Sequence, residues 1–128
     1  MARWLFKTEP SEYSFERLVA EKRATWDGVK NALALKHLRA VRKGDEIAIY
    51  HTGNVKAVVG VAKAAADAAG DAVDIVPVRP AGPLPLSTIK ADPRFKDFAL
   101  VRQGRLSVMP VPDSLWPFLS GATARRGP

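Results

Sequence analysis

A chain of 128 residues is long enough for one hydrophobic core and too short for two. Apolar residues at 47% and charged residues at 26% fit a soluble globular domain and exclude fibrous and disordered compositions, and no run reaches the roughly 20 apolar residues that span a bilayer. Zero cysteines exclude a disulfide scaffold and a thiolate site, while 20 Lys and Arg against 13 Asp and Glu, a net charge of +7, favour a polyanionic partner.

Met1-Ala2-Arg3-Trp4-Leu5-Phe6 runs directly into KTEPSEY with no leader pattern, so the expectation is a soluble, cytoplasmic protein. Trp4, Leu5 and Phe6 predict a short buried strand that Pro10 ends, placing Lys7, Thr8 and Glu9 at a strand end. Ser14 reads as the N-cap of a helix from about Phe15 to Lys22, with Phe15, Leu18 and Val19 facing inward. RATWDGVKN follows, with Asp27-Gly28 as a turn signal.

NALALKHLRAVRKGD predicts a second helix, with Leu35, Leu38 and Val41 inward, a basic outer face, and Gly44 closing it. EIAIYHT and AVVGV read as neighbouring strands around the turn Gly53-Asn54. VAKAAADAAGDA is helical by alanine content, yet its neighbours on both sides are strand-like, so a strand to about Ala64 and a loop around Gly70-Asp71 are expected. VDIVPVRPA is the next strand, PLSTIKADP a short helix or turn, and FALVRQGRLSVMPV two extended pieces broken at Gln103-Gly104. Asp113 then caps a last helix through Leu115, Trp116, Phe118 and Leu119. These elements predict one α+β domain over residues 1–121, a mixed sheet curled toward a small barrel, followed by a flexible basic tail over 122–128.

The common phosphate-loop, dinucleotide, metalloprotease and serine-hydrolase signatures are absent. His37 and His51 have no third ligand at metal spacing, so neither cofactor nor metal is implied. His37 reads as a surface helix residue, and His51 as a satisfied strand-end histidine or a cleft residue. What remains is Trp26 with Asp27 and Asn31, set against Lys7, Thr8 and Glu9: a stacking surface with donors and acceptors, as an extruded base requires. Trp26 reads equally as a core tryptophan, and Asp27-Gly28 as a plain turn. A small-ligand domain or enzyme using Glu9, Asp27 or His51 stands as the alternative from another class.

Five blocks in order, RWLFKTEPSEYSFERL, TWDGVKN, RKGDEIAIYHTG, VVGVAK and RLSVMPV, resemble the EVE domain family and span nearly the whole chain. The resemblance implies a PUA-like fold, a curved mixed sheet or pseudo-barrel with flanking short helices, related to the YTH domains that bind N6-methyladenine in RNA. It implies a non-catalytic reader of a modified base in DNA or RNA, with no membrane partner, or a more general RNA-binding module. Its motifs put Lys7, Thr8, Glu9, Trp26, Asp27, Gly28, Val29 and Asn31 at the pocket, and leave Lys30, Lys36, Arg39, Arg102 and Arg105 for the backbone. Two departures stand out: Gly104 where a serine often precedes the last motif, and the run Ala32-Leu33-Ala34-Leu35-Lys36 where a more polar, basic run is common.

Overall fold

The computed structural model describes residues 1–121. Six strands form one mixed sheet in the order β2-β5-β4-β3-β1-β6. β1 (Arg3–Thr8) pairs in parallel with β3 (Glu46–His51) and antiparallel with β6 (Val108–Pro110). β4 (Ala57–Ala64) joins β3 to β5 (Val73–Pro85), and β2 (Ala24–Trp26) pairs with the start of β5. This is the PUA-like curved sheet with flanking helices that the sequence predicted.

The curvature has local causes. Register shifts interrupt β3–β4 between Ile49 and Tyr50 and β4–β5 between Val58 and Gly60 and between Val61 and Ala62; bulges of this kind bend a strand and increase its twist. β5 contains Pro77, Pro80, Pro83 and Pro85, all beyond the stretch Val73–Ile75 that pairs with β2. Their missing N–H groups therefore cost no ladder bond on the β2 side.

Leu5, Phe6, Ile47, Ile49, Val58 and Val61 are fully buried at the centre of the sheet. α1 (Phe15–Glu21) starts at Ser14, whose side chain accepts from Arg17 N, and ends on Lys22 in a left-handed conformation. The Phe15 ring fills the space a side chain at position 60 would need: a Cβ on Gly60 would lie 2.5 Å from it. α2 (Ala32–Arg39) buries Ala34 and Leu38. α3 (Leu86–Ala91), α4 (Ala99–Arg102) and α5 (Trp116–Leu119) are single turns or little more.

Several expectations need correction. RATW supplies the edge strand β2, too short for periodicity to reveal. Val19 is 48% exposed, because the short helix α1 turns only Phe15 and Leu18 inward. α2 stops at Ala40, and Gly44, at φ +90°, instead serves the turn into β3, its N–H donating to Ala64 O. FALVR is helical rather than extended: Arg102 N donates to Phe98 O, and the turn buries both Phe98 and Leu100. Asp113 caps nothing with its side chain, which pairs with Arg3 at 3.1 Å. The basic tail expected over 122–128 lies outside the described residues.

Candidate functional site

A cleft of about 380 Å³ opens where the end of β1, the turn after it, β2 and the loop following β2 converge. Such a volume suits a single small planar group with a few polar contacts.

Trp26 forms its aromatic wall. As the last residue of β2 it is half-buried, tilted against the buried Phe6 ring at a centroid distance of 5.4 Å and edge-on to Tyr13 at 6.2 Å. The ring is thus rooted in the core on one side and lines the cleft on the other. Its indole N–H has no hydrogen-bond partner among the described residues. The chain then turns at Gly28, where φ of +74° would strain any side chain although space for one exists. That turn displays Asp27 and Lys30 in the cleft and packs the half-buried Val29 against the core. No hydrogen bond or ion pair among the described residues engages the Asp27 carboxylate.

The opposite wall is more constrained. Lys7 donates from Nζ to Gly104 O at 3.0 Å and lies 5.9 Å from the centroid of the Tyr50 ring; burial pushes its pKa down. Thr8 donates its hydroxyl to Tyr13 O at 2.8 Å, so toward a ligand it offers only an acceptor. Glu9 accepts weakly from Ser11 and Thr52, at 3.2 to 3.4 Å, leaving lone pairs on both oxygens. Tyr13 gives its hydroxyl to Glu21 at 2.7 Å, and burial, with that acceptor's help, pushes its pKa up to about 12.

Lys7, Thr8, Glu9, Trp26, Asp27, Gly28 and Val29 therefore meet in one cleft as the sequence suggested, joined by Lys30, which had been assigned to the backbone. Asn31 does not join them. It is the N-cap of α2, its Oδ1 accepting from Ala34 N at 3.0 Å, and it lies outside the cleft lining. Tyr13 and Ser107 line the cleft and were missed. The period-two pattern of RLSVMPV held the signal for Ser107: Leu106 and Val108 are buried, so the residue between them points the other way.

The remaining cations differ in availability. Arg39 is held by Asp71 at 2.6 Å and Arg102 lies 3.6 Å from Asp97, whereas Lys36 and Arg105 are exposed without a partner among the described residues. His51 is buried away from the cleft, its Nε2 accepting from Phe15 N at 3.0 Å, which settles it as the satisfied strand-end histidine. His37 is half-buried and tilted against Trp4 at 6.2 Å, not a free surface residue. Among the described residues no group of three His, Asp or Glu side chains is placed to hold a metal, and no helix is long and apolar enough to cross a membrane.

Comparison with known proteins gives a consistent picture. The family profile described as "EVE domain" matches residues 2–122. A Rhodopseudomonas palustris protein solved by NMR is 34% identical, with a TM-score of 0.90 over 100% of this chain and 97% of its own. The human THYN1 protein, solved in complex with 5-methylcytosine-containing DNA, shares the fold at 24% identity, with a TM-score of 0.90 and full coverage of both chains. In sequence, human thymocyte nuclear protein 1 is 38% identical over 60 residues, covering 38% of this chain. That match spans 27% of the human protein, just over a quarter of its length.

Proposed function

This chain belongs to the EVE domain family, and from that premise we propose that it binds a modified nucleobase extruded from a DNA or RNA strand, without chemistry of its own. The observation that carries this reading is the pairing of an open Trp26 ring face with an unengaged Asp27 carboxylate in one cleft. Extruding a base costs a few kcal/mol, and stacking returns about 1–3 kcal/mol. Trp26 supplies the stacking face. Asp27 accepts from an exocyclic amine such as that of cytosine, and Lys7, whose ammonium has donors beyond the one given to Gly104, meets a ring carbonyl. Val29 offers the apolar contact that a base methyl group prefers over water.

The complex of the similarly folded human protein with 5-methylcytosine-containing DNA supports this choice of ligand class. The net charge of +7 favours a second, less selective reading, in which the domain holds RNA through its backbone alone. One experiment separates the two: titration of matched single- and double-stranded DNA and RNA, with and without methylated cytosine or adenine, at two salt concentrations. The base-reading function predicts tighter binding to a modified oligonucleotide and loss of that gain in Trp26→Ala. Binding that is salt-sensitive but indifferent to methylation and to the substitution would replace it with the backbone reading.

A further inference from the structure

A second cavity, of about 220 Å³, shares only Lys7 with the cleft. Tyr50 and Thr52 wall it from the end of β3, Lys56 from the entry to β4, Lys90 from the last turn of α3, and Gly104 from the loop before β6. Three ammonium groups thus border it, and no carboxylate belongs to its lining. Glu9 lies against Gly53, one of the lining residues, and accepts from Ser11 and Thr52. None of the ion pairs among the described residues uses Lys7, Lys56 or Lys90.

Tyr50 adds an independent sign. The residue is only 3% exposed, yet its hydroxyl has no hydrogen-bond partner among the described residues. No side-chain polar atom there is both sealed from solvent and unsatisfied, so the Tyr50 oxygen reaches open space, and the space its side chain lines is this cavity. Burial raises its pKa, so at neutral pH the hydroxyl keeps its proton and is a donor. Lys56 is held at φ +47°, a conformation uncommon for a residue with a side chain, with its carbonyl accepting from Leu86 N at 2.8 Å. Leu86, Leu100 and Val101 give the cavity an apolar side, which strengthens charge–charge contacts.

We propose that this cavity is an oxyanion site for a backbone phosphodiester beside the nucleotide held in the cleft, with the Tyr50 hydroxyl and the Lys7, Lys56 and Lys90 ammonium groups as its donors. The assignment rests on the base-binding reading: because Lys7 borders both cavities, a base and a neighbouring phosphate fall within reach of one side chain. A second base fits the lining poorly, since Lys7 lies over the Tyr50 ring and no amide or carboxylate side chain is there to read an edge. Free phosphate shares the chemistry and is separated by the test.

The test is a methylphosphonate scan, neutralising one linkage at a time in a 5-methylcytosine-containing oligonucleotide, against wild type, Tyr50→Phe and the double variant Lys56→Gln/Lys90→Gln. Both lysines are exposed, so folding is retained, and thermal melting checks it. At a linkage flanking the modified base, neutralisation is expected to weaken wild type roughly tenfold and the double variant less than about twofold, and the double variant's salt slope should fall by about two. Tyr50→Phe should reproduce part of that coupling. Additive effects at every linkage overturn the site, while a methylation gain abolished by Trp26→Ala in the same assay would leave the base reading standing. Coupling at a linkage with no effect of Trp26→Ala does the converse, upholding the phosphodiester site and overturning the base reading. Resonance shifts of Tyr50 and Lys90 with inorganic phosphate, without linkage coupling, overturn the phosphodiester in favour of a free anion. If no oligonucleotide binds, both readings fall.

Discussion

Trp4 and Trp26 each have an aspartate for company, and the two pairs are used in opposite ways. Trp4 is 6% exposed in β1, and its indole N–H donates to Asp45 Oδ2 at 2.9 Å. Asp45 also accepts from Ala2 N at 3.1 Å and Arg42 N at 3.0 Å, closing the turn before β3. At the other pair, neither the Trp26 N–H nor the Asp27 carboxylate has a partner among the described residues, and both residues line a cleft. A tryptophan–aspartate pair whose polar atoms are satisfied within the chain is structure; one left open is available to a ligand. The difference lies in the partners, not in the residue types.

The largest effect that could break this contrast is on stability. Trp4→Ala should cost about 3–5 kcal/mol in equilibrium urea unfolding, whereas Trp26→Ala, half-buried, should cost well under half of that. Asp45→Ala, which orphans three donors, should cost about 3 kcal/mol, and Asp27→Ala less than about 0.5 kcal/mol. Equal losses from the two members of either comparison would remove the distinction.

On the binding side the order reverses. Trp26→Ala should lose about 1–3 kcal/mol of affinity for a modified oligonucleotide in a fluorescence titration, while the milder Trp4→Phe leaves it unchanged.

A smaller effect is acid sensitivity, which belongs to neither pair. His51 must be unprotonated at Nε2 to accept from Phe15, and burial lowers its pKa from the ordinary 6.5 against the opposing pull of Glu16 and Glu9. Below about pH 6.5 the unfolded chain takes up this proton before the folded one does. Stability should therefore be level above that pH and decline beneath it. His51→Gln should flatten part of the decline in urea midpoints taken at neutral and mildly acidic pH, the remainder coming from His37, whose pKa is lowered too.

The smallest effects concern the surface cations. Lys30→Gln and Arg105→Gln should each reduce the slope of log affinity against log salt by about one. Arg39→Gln should do less, because its guanidinium is already paired with Asp71.

The sequence made the open pair legible for a physical reason. TWDGVK carries its own turn signal, and KTEP ends a strand at a proline, so local rules place both walls of the cleft. Asn31 was ambiguous because an asparagine before a helix serves equally as cap and as reader, and only the geometry shows that its Oδ1 is taken by Ala34. The Trp4–Asp45 bond joins residues 41 apart, beyond any local pattern. FALVR reads as strand from its side chains; one turn of helix forms there because burying Phe98 and Leu100 together outweighs a weak propensity. The second cavity was illegible for the same reason as the bond: its lysines come from three separate stretches of the chain.

The place of β1 in the sheet also dictates a sequence in time. Its residues Trp4, Leu5 and Phe6 are flanked by β3 on one side and by Pro110, Met109 and Val108 of β6 on the other. Of the six strands, the earliest in this chain is therefore enclosed on both edges only when the last, β6, has been made. At synthesis rates of about 5–20 residues per second, that wait lasts roughly 5 to 20 s. Throughout it, a strand carrying Trp4, Leu5 and Phe6 has at least one edge unclaimed, and both until β3 follows, so the nascent chain is at its most adhesive while it is still growing.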